Sequence, residues 1–222
     1  MRSKKSLGQN FLSNVDLLND IVNEGNISSN DIILEIGPGT GNLTNEILKK
    51  KPKKLILVEK DTFLLNLLKK KYSNDVTFIN DDILDISEKT LSDNELTVFG
   101  NLPYNISTEI LTKWIMNLKN EFWFDILILM FQKEVADRII AKFNTSKYGR
   151  LTILTNWKLN IKKICDVKPS AFSPKPKVDS SILIFSPKND FLNIGDPKNL
   201  EKITRIFFNQ RRKMIKKPFN QL

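Results

Sequence analysis

Apolar residues along the first two-thirds of the chain alternate between two spacings. Short continuous runs at 31–36, 55–58, 76–79, 96–99 and 125–130 read as buried strands. Between them, 42–50 and 63–71 place Leu43, Ile47 and Leu48, then Phe63, Leu64, Leu67 and Leu68, at helical spacing. Further helices are predicted at 107–118, N-capped by Ser107 or Thr108, and at 132–142. A first helix at 15–22 (Val15, Leu18, Ile21, Val22) is stopped by Gly25. This alternation predicts an α/β fold, a parallel sheet wrapped by helices.

After Tyr148-Gly149-Arg150 the pattern changes. A helix is expected at 151–157 and a strand at 159–167, where lysines separate Ile161 from Ile164. A loop with three prolines follows at 168–177, then a last apolar strand at 180–185. Two strands joined this way predict an antiparallel hairpin at the sheet edge. Residues 186–198 are polar and read as a linker; 199–222 read as a basic helix (Leu200, Ile203, Ile206, Phe207) and a tail. The chain therefore divides into 1–187 and a short segment, 188–222.

Polar chemistry sits where the apolar runs stop. The run ending at Ile36 enters Gly37-Pro38-Gly39-Thr40-Gly41 and then a helix. Glycines in a strand-to-helix turn let the backbone approach a ligand closely. Glu59, 22 positions after Gly37, ends the next run, and Asp82 follows the third. A carboxylate at the first place can bind two ribose hydroxyls, and one at the second can accept from an adenine amino group, which implies a nucleoside cofactor. Asn42 replaces the last glycine of the dinucleotide pattern, and Glu35 precedes the loop. An acidic rim repels a pyrophosphate and suits the cationic sulfonium of S-adenosylmethionine (SAM). Helix capping or solvated strand ends are the plain alternative for both acids. The fourth run delivers Asn101-Leu102-Pro103-Tyr104, which can present hydrogen-bond acceptors and a flat ring; a strand followed by a turn is the plain alternative.

Composition narrows the chemistry. There is no histidine and one cysteine, Cys165, so His-based catalysis, a disulfide framework and a Cys-rich zinc site are excluded. Whatever reaction occurs is expected to run without metal, and one thiol fits a reducing cytosol. The formal charge is +10, from 35 Lys and Arg against 25 Asp and Glu, which points to a polyanionic partner, nucleic acid first. The apolar run 122–131 is interrupted by Asp125 and too short to span a bilayer, and no signal core follows Arg2, Lys4 and Lys5. A cytoplasmic monomer is expected.

Several motifs together resemble the rRNA adenine N6-dimethyltransferase family, small-subunit branch (KsgA type). These are Lys4-Lys5-Ser6-Leu7-Gly8-Gln9-Asn10-Phe11-Leu12, Glu35-Ile36-Gly37-Pro38-Gly39-Thr40-Gly41 and Asn101-Leu102-Pro103-Tyr104-Asn105-Ile106-Ser107, followed by Phe131-Gln132-Lys133-Glu134-Val135-Ala136, Tyr148-Gly149-Arg150-Leu151 and the stretch from Phe172 to Ser181. The resemblance implies a Rossmann-like class I SAM-dependent methyltransferase fold with a small, reduced or truncated helical C-terminal appendage. It implies SAM binding at Asn10, Leu12, Gly37, Gly39, Gly41, Glu59, Asp82 and Asn101. It implies catalysis by Asn101, Leu102, Pro103 and Tyr104, with Tyr104 and Phe172 stacking on the target adenine. The implied activity is dimethylation of N6 on two adjacent adenines near the 3′ end of small-subunit (16S) rRNA, during ribosome biogenesis.

RNA binding is expected from the C-terminal cluster, Arg205, Arg211, Arg212 and Lys213; the lysines at 49–54 and 69–71 read as helix-end charges. Family members usually carry several C-terminal helices, and this chain has room for one and a tail. The alternatives are a large-subunit (23S) enzyme conferring macrolide-type resistance and a non-catalytic RNA-binding assembly or transcription factor.

Overall fold

The structure, a computed structural model, describes residues 9–72, 76–118, 121–211 and 214–221. Its centre is a seven-stranded sheet of β2 (Ile32–Ile36), β3 (Lys54–Val58), β4 (Val76–Ile79), β5 (Leu96–Gly100), β6 (Phe124–Gln132), β7 (Leu159–Val167) and β9 (Ser180–Pro187). The strand order is β4-β3-β2-β5-β6-β9-β7. The first five are parallel, and β9 runs antiparallel between β6 and β7. The expected edge hairpin is thus present, with its later strand on the inside. β2, β3 and β5 are buried on both faces, which is why they read as unbroken apolar runs rather than alternating ones.

Helices α1 (Val15–Glu24), α2 (Asn42–Lys49), α3 (Thr62–Lys71), α4 (Ser107–Asn117), α5 (Lys133–Ile139) and α6 (Arg150–Lys158) accompany the sheet. One apolar cluster joins β5, β6 and α4 around Trp114, Phe124, Phe131 and Phe185. A second, on Ile33, Leu55, Phe99 and Ile128, receives α1 through Leu18, Ile21 and Val22.

Two helix ends differ from the sequence reading. Neither Ser107 nor Thr108 caps α4; Ile106 holds the cap position without a side-chain bond. The Pro103 carbonyl accepts from the amides of Ile106 and Ser107 at 3.1 and 3.0 Å, so a turn does the capping. Helix α5 stops at Ile139, short of the expected 142. Thr152 and Asn156 of α6 donate to the carbonyls of Arg138 and Ile139 at 2.6 and 3.1 Å, satisfying groups that a longer helix would have used.

The proline-rich loop holds structure that its composition hid. A 3₁₀ turn, Pro169–Ala171, leads into β8 (Phe172–Ser173), which pairs antiparallel with β1 (Phe11–Leu12). The Ser13 amide also donates to the Ala171 carbonyl at 2.9 Å, and Asn42 Nδ2 donates to the Leu12 carbonyl at 2.7 Å. The start of the described chain is thereby strapped across the sheet's carboxyl edge.

The segment beyond β9 is docked through Lys188, Leu192 and a helix. The Lys188 amide donates to the Lys158 carbonyl at 2.9 Å and Trp157 Nε1 to the Leu192 carbonyl at 2.7 Å. Helix α7 (Pro197–Asn209), N-capped by Asp196, lies on α6 and pairs Glu201 with Arg150 at 2.5 Å; a short α8 (Lys216–Phe219) follows.

Candidate active site

From β2 the chain moves to β3 on one side, while β5 lies on the other. Ligands bind at the carboxyl ends of strands where the order reverses in this way. The register pairs Ile36 with Gly100, so the residues that follow each strand, Gly37 and Asn101, meet at this point. A cleft opens there. Asn10, Gly37, Gly39, Glu59, Asp82, Asn101, Leu102, Pro103 and Tyr104 all line it, five separated stretches of sequence in one wall.

Each stretch is positioned by specific bonds. The Gly37 amide donates to the Val58 carbonyl at 2.9 Å, tying the glycine turn to β3. Gly37 and Gly39 have φ of +67° and +57°, the left-handed region. A Cβ on Gly39 would fall 2.6 Å from the Phe11 ring, so the strap can close over the turn only because no side chain is there. Glu59 accepts from the Gly39 and Asp61 amides at 3.2 and 2.9 Å. Burial raises its pKa, and those amides oppose the rise.

Asp82 behaves in the opposite sense. Partial burial would raise its pKa, but the Lys60 ammonium at 2.6 Å and the Leu84 amide at 3.0 Å hold its carboxyl below the usual range. It stays ionised at neutral pH.

Glu35 corrects the sequence argument. It is buried and does not reach the cleft rim; its carboxylate accepts from the Thr44 hydroxyl at 2.7 Å. Burial pushes its pKa up to about 8, so at neutral pH it is mostly uncharged. The acids that line the cleft are Glu59, Asp81 and Asp82.

Asn101 Nδ2 donates to the Asn10 carbonyl at 2.9 Å. That bond sets the amide's orientation and directs Oδ1 away from the strap, where it can act as an acceptor. Tyr104 is half-buried, and its hydroxyl shares a 2.5 Å hydrogen bond with the Ser180 hydroxyl, fully buried at the start of β9. Burial also raises the Tyr104 pKa. Its hydroxyl is therefore an anchor for the ring, with no tendency to ionise at neutral pH.

Three predicted site residues lie elsewhere. Leu12 turns into the core, and its carbonyl is held by Asn42. Gly41 caps α2 with φ +78°, and the Tyr72 hydroxyl packs on it and bonds its carbonyl at 2.8 Å. Phe172 is 2% exposed, packed in the core beneath the strap. β1–β8 pairing turns Phe172 inward beside Leu12, so its ring does not face Tyr104 in this arrangement.

Arg205 and Arg211 are exposed on and after α7, away from the cleft; Arg212 and Lys213 lie outside the described residues. Sequence reasoning missed Ser180 and Asn42 as supports. The only signal for either was a motif position without an assigned role and a departure from the glycine pattern. Among the described residues no cluster of acidic or cysteine side chains could hold a metal, and no helix is long and apolar enough to cross a membrane.

The sequence profile of the family described as "Ribosomal RNA adenine dimethylase" matches residues 1–222. The chain belongs to this family. A relative from Pelagibacter ubique, named "Ribosomal RNA small subunit methyltransferase A", is 65% identical over 222 residues, covering 100% of this chain and 84% of the relative. The crystal structure of a dimethyladenosine transferase from Plasmodium falciparum superimposes with a TM-score of 0.78 at 32% identity, over 94% of this chain and 74% of that one. The 23S rRNA methyltransferase ErmE gives a TM-score of 0.73 at 23% identity, over 96% of this chain and 84% of that one, a likeness of fold.

The protein is thus a SAM-dependent rRNA adenine dimethylase with a class I methyltransferase fold. The dimethylase cleft fits that cofactor. It combines a bare backbone at Gly37 and Gly39, a buried acceptor at Glu59 and an ionised one at Asp82.

Proposed function

We propose that this chain methylates twice the N6 of two adjacent adenines near the 3′ end of 16S rRNA, in the cytoplasm, as the small subunit assembles. The observation that carries the reading is the pinned Asn101 amide beside the Leu102 backbone at the cleft wall. The name of the 65%-identical relative supports the choice of subunit.

In this reading Glu59 and Asp82 hold the nucleoside part of SAM, and the Gly37–Gly39 turn lies against it. When bound, SAM supplies a methyl group already activated on sulfonium, so no metal is required. Adenine N6 is a poor nucleophile because its lone pair is delocalised into the ring. Asn101 Oδ1 and the Leu102 carbonyl each accept one N–H of the amino group, drawing the nitrogen toward tetrahedral geometry and freeing the lone pair. That is positioning and electrostatic stabilisation, not base catalysis. Pro103 restrains the Leu102 backbone. The Tyr104 ring, anchored through its hydroxyl, supports the base once it has left its stack.

The test is incubation with SAM and either isolated small or isolated large subunits, followed by mass analysis of the rRNA nucleosides. Dimethyladenosine confined to the small subunit is expected. Labelling confined to the large subunit would overturn the reading.

A further inference from the structure

Phe143 is 81% exposed, in the loop at 140–149 that joins α5 to α6. Its ring meets Tyr148 edge-on, with centroids 5.6 Å apart at 84°. Tyr148 in turn lies 6.2 Å from Phe208 of α7, and the Arg211 guanidinium sits over Phe208 at 5.6 Å. Arg211 also donates to the Ser146 carbonyl at 2.9 Å. A row of three rings and a guanidinium therefore crosses from the catalytic core to the C-terminal segment. None of these residues lines the methyl-transfer cleft.

The edge of Tyr148 leaves most of the Phe143 ring in water, yet the fold holds the loop beneath the ring in place. The Thr145 and Tyr148 amides close successive turns onto the Lys142 and Thr145 carbonyls at 3.3 and 3.2 Å. Lys147 is tied to Asp137 at 2.7 Å, and the Gly149 amide donates to the Thr152 hydroxyl at 3.1 Å. The platform is built before any ligand arrives. The loop contains Lys142 and Lys147 and no acidic residue, in a chain of net charge +10. An exposed aromatic flanked by cations complements a polyanion that also carries flat faces, which is an unpaired stretch of RNA.

We propose that Phe143, backed by Tyr148, is a stacking platform for an unpaired base of the substrate RNA outside the target pocket, with Lys142 and Arg211 on the flanking phosphates. This rests on the reading of the protein as an rRNA enzyme and adds a second contact to it.

The test uses the full chain and a short fluorescein-labelled single-stranded RNA. Affinity is measured by anisotropy across a salt series for the wild type, Phe143→Ala, Phe143→Trp and Lys142→Gln. Phe143→Ala should weaken binding about tenfold, the value of one lost stack, with no change in the slope of log K against log salt. Phe143→Trp should restore affinity, and Lys142→Gln should lower the slope by about 0.7. On small subunits Phe143→Ala should raise KM at unchanged kcat. The ring is mostly in water, so an unchanged Tm is expected and confirms folding.

Wild-type affinity in Phe143→Ala overturns the platform. So does unchanged RNA binding accompanied by lost self-association or lost binding to phosphatidylserine vesicles, since the ring would then serve another surface. A wild type that binds the oligonucleotide through Phe143 but methylates no small subunit leaves the platform standing and removes the proposed function instead.

Discussion

Asn101 shows how one side chain can be specified by a residue far away. Its Nδ2 is committed to the carbonyl of Asn10, 91 positions earlier, and the amide's other arm is thereby offered as an acceptor. Replacing it by alanine removes both the acceptor and a tie to the strap. Methyl transfer should fall by at least about 10²-fold in kcat, as when a single oriented polar group is lost from a transition-state site. RNA affinity should change little, because the strap is also held by β1–β8 pairing and Asn42. Single-turnover methylation alongside filter binding checks the split. Ser180 acts through Tyr104: Tyr104→Phe and Ser180→Ala each delete the same hydroxyl pair. Each should lower kcat with SAM affinity preserved, and the double variant should be no worse than the poorer single one. Additive losses would mean that the two hydroxyls act separately.

Among the elements, those read most directly from sequence are the ones whose signal is local. The buried parallel strands were visible as apolar runs, and the acids and glycines at their ends marked the cleft before any fold was known. The strap was not visible. β1 and β8 are two residues each, too short for a periodic signal, and they pair across about 160 positions through the backbone. That pairing turns Phe172 inward, so a ring assigned to the substrate by motif is a core side chain here. The consequence is measurable. Phe172→Ala should cost about 3–5 kcal/mol of stability, the range for emptying a buried phenylalanine site. Urea denaturation checks it. A normal midpoint with a lowered kcat would instead return Phe172 to the base. Asn42 belongs to the same lesson: in the sequence it reads only as a departure from the dinucleotide pattern, and in the fold it is a clamp on Leu12.

At the scale of the molecule, the buried Glu35 links the ligand cleft to global stability. It lies behind the glycine turn, where the Thr44 hydroxyl donates to it and Glu59 adds repulsion. Its folded-state pKa of about 8 lies above the ordinary 4.5, so the folded protein holds a proton that the unfolded chain releases earlier. The sign follows from linkage: this contribution is fully present below the unfolded pKa and is lost as pH rises through about 8. Across that window, from the ordinary value to about 8, stability falls with each unit of pH. Glu59, raised in the same direction, adds to the decline, while ionised Asp82 acts the other way and matters only in acid. Glu35→Gln keeps an acceptor for Thr44 and has no proton to lose. Its Tm should therefore fall less steeply than that of the wild type between about pH 5 and 8, with the two curves closest at the acid end. Parallel curves would mean that Glu35 ionises without penalty, through water or a bound cation reaching it from the cleft. The sulfonium cofactor supplies a second arm of the same measurement. If the charged Glu35 is stabilised by a cation in the neighbouring site, adding SAM should flatten the wild-type curve and leave the Gln variant's slope unchanged.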